Sequence, residues 1–219
     1  MDPTIITLTD AFPDRVFDPH VIEETLEHAA ERVAKTVPVR YADATATVPE
    51  VAQWVRAVIE AAVEQCRGGC VSVRTGPSLL VVGPTGTGKS HQAYGAIRAL
   101  AVSGVRCVWR IAAAADIYAS LRPRPNVDSE EVFDRLASAQ LLVVDDLGAA
   151  KSSEWVEEIN YRLINHRYEH QLPTLITTNV LPRDLGAGLG ERVASRLVEM
   201  TSRVTIKGAD RRRGLRPAS

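Results

Sequence analysis

The chain of 219 residues is 45% hydrophobic and 24% charged, with a formal net charge of -1. That balance excludes wholesale disorder and collagen-like or membrane classes, and fits one globular core with a modest extension. The longest strongly apolar stretches, Leu79–Val82 and Leu141–Val144, fall far short of the roughly 20 residues a membrane-spanning helix needs. Met1 to Asp10 carries acids and hydroxyls where a secretory leader places a basic patch and a long apolar run. A cytoplasmic protein is therefore expected, with Cys66, Cys70 and Cys107 as free or buried thiols and not a disulfide or zinc framework. The small net charge conceals a polarity, since Met1–Thr36 has eight acids against three bases and Glu191–Ser219 eight bases against three acids. Short charged ends are ordinarily solvated faces, and the basic one also suits phosphate contact.

In chain order, Asp18 caps a helix opened by Pro19, with apolar residues Val21, Ile22, Leu26, Ala29, Ala30 and Val33 at helical spacing. Val37 to Thr47 reads as a connector. A second helix opens at Pro49 and runs to about Cys66, burying Trp54, Val55, Val58, Ile59 and Ala62. Gly68, Gly69, Gly76 and Pro77 break the pattern before the first strand, Leu79–Val82. Further strands are expected at Val105–Trp109, Leu141–Val144, Thr174–Thr178 and Val204–Ile206, with helices between them. Gly104 ends the helix that begins near Lys89, and Asp128 with Glu131 forms a capping box for a helix reaching Ala139. This alternation predicts an α/β fold, a parallel sheet with helices on both faces. The chain divides into an acidic helical extension over 1–36, a core over 37–213 and a tail over 214–219, with too few residues after Ile206 for another folded unit.

Gly83, Pro84, Thr85, Gly86, Thr87, Gly88, Lys89 and Ser90 form a glycine, four free positions and Gly-Lys-Ser, set between a hydrophobic strand and a helix. Glycines allow the backbone N–H groups to turn inward around a phosphate, and the helix N-terminus adds a favourable dipole. Lys89 reaches the outer phosphates of a nucleotide, His91 follows on the same turn, and Ser90 supplies a hydroxyl to Mg²⁺. At the end of Leu141–Val144 stand Asp145 and Asp146, where strands of such sheets enter a site. Asp145 is assigned to the metal, directly or through water, and Asp146 to polarising an attacking water. Asn179 ends the next strand and can hold a water near the γ-phosphate. Arg192 and Arg196, four apart, share a helix face from which a guanidinium can stabilise a transferring phosphoryl, presented from a neighbouring subunit. His166 and His170 read as helix-surface residues, and Trp54, Trp109 and Trp155 as apolar anchors.

Together these elements resemble the AAA+ ATPases of the DnaC and IstB group, which comprises helicase loaders and transposition helper ATPases of bacteria and phages. The resemblance spans about Val37 to Arg213 and rests on Gly-Thr-Gly-Lys-Ser-His, Asp-Asp-Leu-Gly-Ala followed by Ser153-Glu154-Trp155, Thr-Thr-Asn, Gly190-Glu191-Arg192 with Ser195-Arg196-Leu197, and Gly208-Ala209-Asp210-Arg211-Arg212. It implies a five-stranded parallel sheet of order 5-1-4-3-2, ATP and Mg²⁺ between self-associated subunits, no full C-terminal lid, an arginine finger at Arg196 and a sensor arginine at Arg212 or Arg211. It further implies single-stranded DNA binding from Asp116–Val127, which holds Tyr118, Arg122 and Arg124, and a grip on a hexameric replicative helicase by the N-terminal region. Asp146 departs from the glutamate of most AAA+ proteins, which implies slow hydrolysis. The expected function is ATP-dependent loading of a replicative helicase onto single-stranded DNA. The alternatives are a transposition helper, which binds DNA and a transposase, a P-loop small-molecule kinase, and a nucleotide-gated scaffold that does not hydrolyse ATP.

Overall fold

The computed structural model describes residues 6–125, 127–149 and 153–208. Five strands, β1 (Ser78–Val82), β2 (Trp109–Ala113), β3 (Leu141–Leu147), β4 (Thr174–Thr178) and β5 (Thr201–Thr205), form one sheet in the order β2-β3-β4-β1-β5. Every pairing is parallel, and read from the β5 edge the order is the expected 5-1-4-3-2. Because side chains alternate along a strand, the inner strands feed two separate cores. Leu79, Val81, Leu141, Val143 and Leu175 face α2 (Pro19–Thr36), α3 (Pro49–Glu64) and α4 (Lys89–Ala101). Leu80, Val82, Leu142, Val144 and Ile176 face α5 (Ala114–Leu121), α6 (Ser129–Ala137), α7 (Glu154–Glu169), α8 (Leu185–Leu189) and α9 (Glu191–Met200).

Two strands lie away from their expected positions. The apolar run Val105–Trp109 is taken up by pairing with the segment before β1: Arg106 N–H donates to Val71 O (2.9 Å) and Val73 N–H to Arg106 O (3.0 Å). β2 therefore starts at Trp109, where that pairing ends. At the other edge β5 begins three residues early, directly after α9, with Thr201 Oγ1 donating to Leu197 O at 2.6 Å. Its Thr, Ser and Arg residues carry no hydrophobic signal because an edge strand is half solvated. At the start of α6 Asp128 accepts from the N–H groups of Glu130 and Glu131, whereas Glu131 pairs forward with Arg135 at 3.0 Å, so the cap is one-sided.

The N-terminal region packs into the first core. Leu8, in the short helix α1 (Leu8–Ala11), is buried with Ala29 of α2 among the residues of α3 and α4. Leu8 N–H donates to Ser103 O at 2.8 Å. Trp109 Nε1 donates to Thr36 Oγ1 at 2.9 Å, and the Arg32 guanidinium lies 5.7 Å from the Trp109 ring. The connector behind α2 lies so close to α4 that a Cβ on Gly95 would clash with the Thr45 carbonyl group. Gln92 fixes the same segment by accepting from Val48 N–H and donating to Thr47 Oγ1, both at 2.9 Å. Cys107 is buried here, and burial pushes its thiol up to about 12, the state of an inert core sulfur.

Arg167 on α7 is fully buried and solves a different problem. Its guanidinium donates to the carbonyls of Ala137 and Ala139 (2.9 Å each) and Pro173 (2.7 Å), and Nε donates to Thr174 Oγ1 at 2.7 Å. It thus collects the orphan carbonyls at the C-terminus of α6 and ties them to the entry of β4. Burial pushes it down to about 9, which leaves it cationic at neutral pH. Replacing Arg167 with methionine removes one side of this network and is expected to cost ~3 kcal/mol. Arg167→Lys should recover little, because one ammonium cannot span carbonyls that a planar fork reaches together. Urea denaturation of the two variants against the parent checks both values.

Candidate functional site

The phosphate loop leaves β1 at Gly83 and enters α4 at Lys89, with Gly86 (φ +84°) and Gly88 (φ +98°) in the left-handed region that favours glycine. Gly83 is required for a second reason: a Cβ there would stand 2.5 Å from Ile206 O and 3.1 Å from Thr87 Oγ1. Lys89 is buried, and its ammonium donates to Gly83 O (2.8 Å) and Pro84 O (3.0 Å) across the loop. Thr87 Oγ1 donates to Pro84 O at 2.9 Å, bracing the same turn. The loop opens on a cavity of about 600 Å³. Thr85, Gly86, Gly88, Lys89 and Ser90 line it from the loop, with His91 beside them and Asp145 and Asp146 opposite. Gly83, Pro84 and Thr87 stand behind this lining.

β3 stays buried through Val144, and then its pairing with β4 slips. Val144 aligns with Ile176 and Leu147 with Thr178, so Asp145 and Asp146 together oppose the single residue Thr177. This is a β-bulge, and it turns the Asp146 backbone to φ +58°. Asp145 is half-buried and Asp146 exposed. Ser90 Oγ donates to Asp145 Oδ1 at 3.0 Å, and Thr177 Oγ1 donates to the same oxygen at 2.6 Å. Asp146 N–H donates to Thr177 Oγ1 at 2.9 Å. Thr178 closes the far side, donating to Leu147 O (2.6 Å) and accepting from Val180 N–H (3.0 Å). The loop's hydroxyl and the strand-end carboxylate are therefore already in contact, an all-oxygen pair of the kind that takes Mg²⁺ beside phosphate. The donor set fits both the metal and a polyphosphate.

Other sequence-derived residues are placed differently. Asn179 follows β4 at the same sheet edge and is exposed, with no hydrogen bond to the loop among the described residues. Arg196 lies outside the cavity on α9, against α7. Its guanidinium sits 4.3 Å from the Tyr168 ring and bonds Asn165 Oδ1 (3.3 Å) and Glu199 Oε2 (3.4 Å). Hydrogen bonds from Tyr168 and Ser195 hold the Glu199 carboxyl below its ordinary value. Arg192 stands 5.6 Å from the Tyr161 ring. Arg211 and Arg212 lie outside the described residues. Tyr118, expected to meet bases, is buried in the second core, where its hydroxyl donates to Asn160 Oδ1 at 2.7 Å and its ring meets Trp155 edge-on at 6.4 Å. The reason is periodicity: Ala114, Ile117, Tyr118 and Leu121 form the inward stripe of α5. Arg122 and Arg124 remain exposed beyond it.

A family profile for IstB-like ATP-binding proteins matches residues 13–216. The chain belongs to this family. The replicative helicase loader DnaC of Escherichia coli (strain K12) is 28% identical over 123 residues, 55% of this chain and 49% of the loader. The IS21 insertion-sequence ATP-binding protein of Pseudomonas aeruginosa is 26% identical over 145 residues, 64% of this chain and 54% of that protein. The chain thus spans about half the length of the curated relatives it matches. The crystal structure of the DnaC helicase loader superposes with a TM-score of 0.61 at 26% identity, over 78% of this chain and 100% of that one. The fold is the AAA+ fold, in the DnaC and IstB group of ATP-binding proteins.

Sequence reasoning missed three contributors to this family's site here. Arg40 and Tyr41, in the single turn Val39–Tyr41, form one wall of the cavity. Tyr41 stacks on Tyr94 of α4 with ring centroids 4.3 Å apart, and burial, then Asp145, raise the Tyr94 hydroxyl above its ordinary value. A lone turn has no periodicity, so the connector gave no signal for them. The third is Thr177, whose place in Thr-Thr-Asn was legible although its partners were not. Gly83→Ala forces the loop away from Ile206 and is expected to cost about 1–3 kcal/mol. Gly76→Ala meets only an ordinary contact, 3.5 Å to the Pro173 ring, and should change stability by less than about 0.5 kcal/mol. Thermal melts of the pair test this reading of the loop.

Proposed function

We propose that the chain is a cytoplasmic, Mg²⁺-dependent ATPase that self-associates through its nucleotide sites and loads a hexameric replicative helicase onto single-stranded DNA. The observation that carries the ATPase part is the convergence of Ser90 and Thr177 on Asp145 Oδ1 beside the phosphate loop. The loop backbone holds the phosphates, and Lys89 turns from the Gly83 and Pro84 carbonyls to the outer ones. Ser90 and Asp145 hold the metal, which supplies charge neutralisation at the outer phosphates. Asp146 polarises the attacking water, and Asn179 at the neighbouring strand end steadies it. Asp146 reaches one methylene less far than a glutamate, which favours slow turnover suited to a switch.

Arg196 acts from a neighbouring subunit, a reading supported by its position on α9, away from the cavity of its own chain. The same helix argues against a small-molecule kinase, which would leave its arginines without a role. Arg212, or Arg211, serves as the sensor arginine. Arg122 and Arg124 contact DNA phosphates, without the aromatic platform first expected of Tyr118.

The loader reading is favoured by similarity to a protein named as a replicative helicase loader, over 78% of this chain at the structural level. The transposition helper is the second reading, favoured by the similarity to the IS21 protein. In either case the exposed acids Glu23, Glu24 and Glu27 of α2 are the proposed partner contact within the extension over 1–36. Deleting that extension would strip Leu8 and Ala29 from the core, so charge reversal of the three glutamates is the sound variant.

A pull-down from source-cell extract with ATP and Mg²⁺ is expected to recover a hexameric replicative helicase with the parent and not with Lys89→Ala. Recovery of a transposase would move the chain to the helper reading. In steady-state phosphate release, Arg196→Ala and Lys89→Ala should each lose at least about 10-fold in rate. Mixing the two should restore activity at shared interfaces, and no rescue at any ratio would refute action in trans.

A further inference from the structure

We infer that Thr177 is a positioning residue that sets both strand-end acids at once, fixing the Asp145 carboxylate for the metal and the Asp146 backbone for the water. The inference deepens the ATPase reading and rests on the roles given there to Asp145 and Asp146.

Thr177 is fully buried in the central strand β4, next to Leu175 on the face that α4 covers. Packing alone would be served at least as well by valine, which has the same branched shape and no hydroxyl to satisfy. The hydroxyl is therefore there for its bonds, and their direction is unambiguous. A backbone N–H can only donate, so Thr177 Oγ1 must accept from Asp146. Its single proton is then left for the carboxylate, and the observed 2.6 Å to Asp145 Oδ1 is the short distance of a charge-assisted bond. One oxygen thus joins the side chain of one acid to the main chain of the next.

Each bond answers a specific need. Asp146 is one of two non-glycine residues with positive φ among those described, a conformation that costs on the order of 1 kcal/mol for an aspartate. The bond from its N–H holds the bulge in that state and so sets the direction in which its side chain leaves the strand. Asp145 Oδ1 has two hydroxyl donors, Ser90 and Thr177. Ser90 is proposed to turn to the metal, and Thr177 is then the donor that keeps the carboxylate from rotating. A group that holds both acids should matter to metal capture and to hydrolysis while leaving the phosphate loop's own hold on the nucleotide intact.

The test compares Thr177→Val, Thr177→Ser and the parent in three measurements. These are affinity for a fluorescent ATP analogue with and without Mg²⁺, steady-state phosphate release, and hydrogen exchange at the Asp146 amide. For Thr177→Val, metal-free affinity is expected within about 2-fold of the parent, with the gain on adding Mg²⁺ reduced at least about 5-fold and kcat at least about 10-fold. The Asp146 amide should exchange at least about 10-fold faster, since its acceptor is gone. Thr177→Ser restores the hydroxyl and should return all three within about 3-fold, which a merely structural role would not require. Should Thr177→Val fail to fold, Thr177→Ala carries the same comparison. A Thr177→Val protein with parental metal gain and turnover, or a serine variant as impaired as the valine one, overturns the inference while leaving the ATPase reading standing. If the parent itself binds the analogue with no response to Mg²⁺, the ATPase reading falls and takes this inference with it.

Discussion

The site depends on one feature of connectivity. β1 is followed in sequence by β2, yet in the sheet β4 and β3 lie between them. The helix joining β1 to β2 must therefore pass over the face of both intervening strands. α4 does so, packing on β4 and β3, and its first turn, which carries Lys89 and Ser90, lies beside the C-terminal end of β3. This is why Ser90 meets Asp145, two strands from the origin of the phosphate loop, at 3.0 Å. A sequential strand order would put β2 beside β1 and leave the hydroxyl without its carboxylate. The right-handed crossover rule and the loop motif together come close to dictating the chemistry at this edge.

The inner strands and the loop were legible because burial imposes a pattern on sequence. β4 was readable to the residue, since Thr174–Thr178 is an apolar and β-branched run bounded by Pro173 and Asn179. The outer strands were not. The Val105–Trp109 run is hydrophobic because Val105, Cys107 and Trp109 are buried in the first core, although Arg106 pairs with Val71–Val73 outside β2, and the polar edge strand β5 has no run at all. The site divides the same way. The acids were visible as an abrupt end to Leu141–Val144, but the bulge that orients them arises from a slip in pairing between two strands. No single segment encodes that slip. Tyr118 shows the opposite error, in which an aromatic next to arginines suggested a binding surface while its spacing with Ile117 and Leu121 already placed it inward.

Charge at the rear of the sheet is handled by geometry and not by pairing. Among the described residues Arg167 has no acidic hydrogen-bond partner; carbonyl dipoles after α6 and before β4 serve instead. An ion pair there would need a second buried charge with its own desolvation cost. Carbonyls are present at every helix end and need satisfying in any case. The arrangement fixes α6, α7 and β4 relative to one another. The lengths of β3 and β4 above that corner then set where Asp145 and Thr177 meet.

The cavity gathers the phosphate loop, Lys89, Ser90 and Asp145 from one chain, while Arg196, proposed to act at the transition state, lies outside it. Arg196 is held on α9 by the Tyr168 ring, Asn165 and Glu199, in contacts made within its own subunit. A guanidinium fixed in this way would lose little further conformational freedom if, as proposed, it meets a neighbour's nucleotide, since most of the entropy of ordering it is already spent. Under the proposed function, binding and hydrolysis would separate physically: the loop, Lys89, Ser90 and Asp145 would act within one subunit, and charge stabilisation would await a second. On that proposal the placement of one helix would suffice to make hydrolysis by the isolated chain slow, and turnover would report assembly.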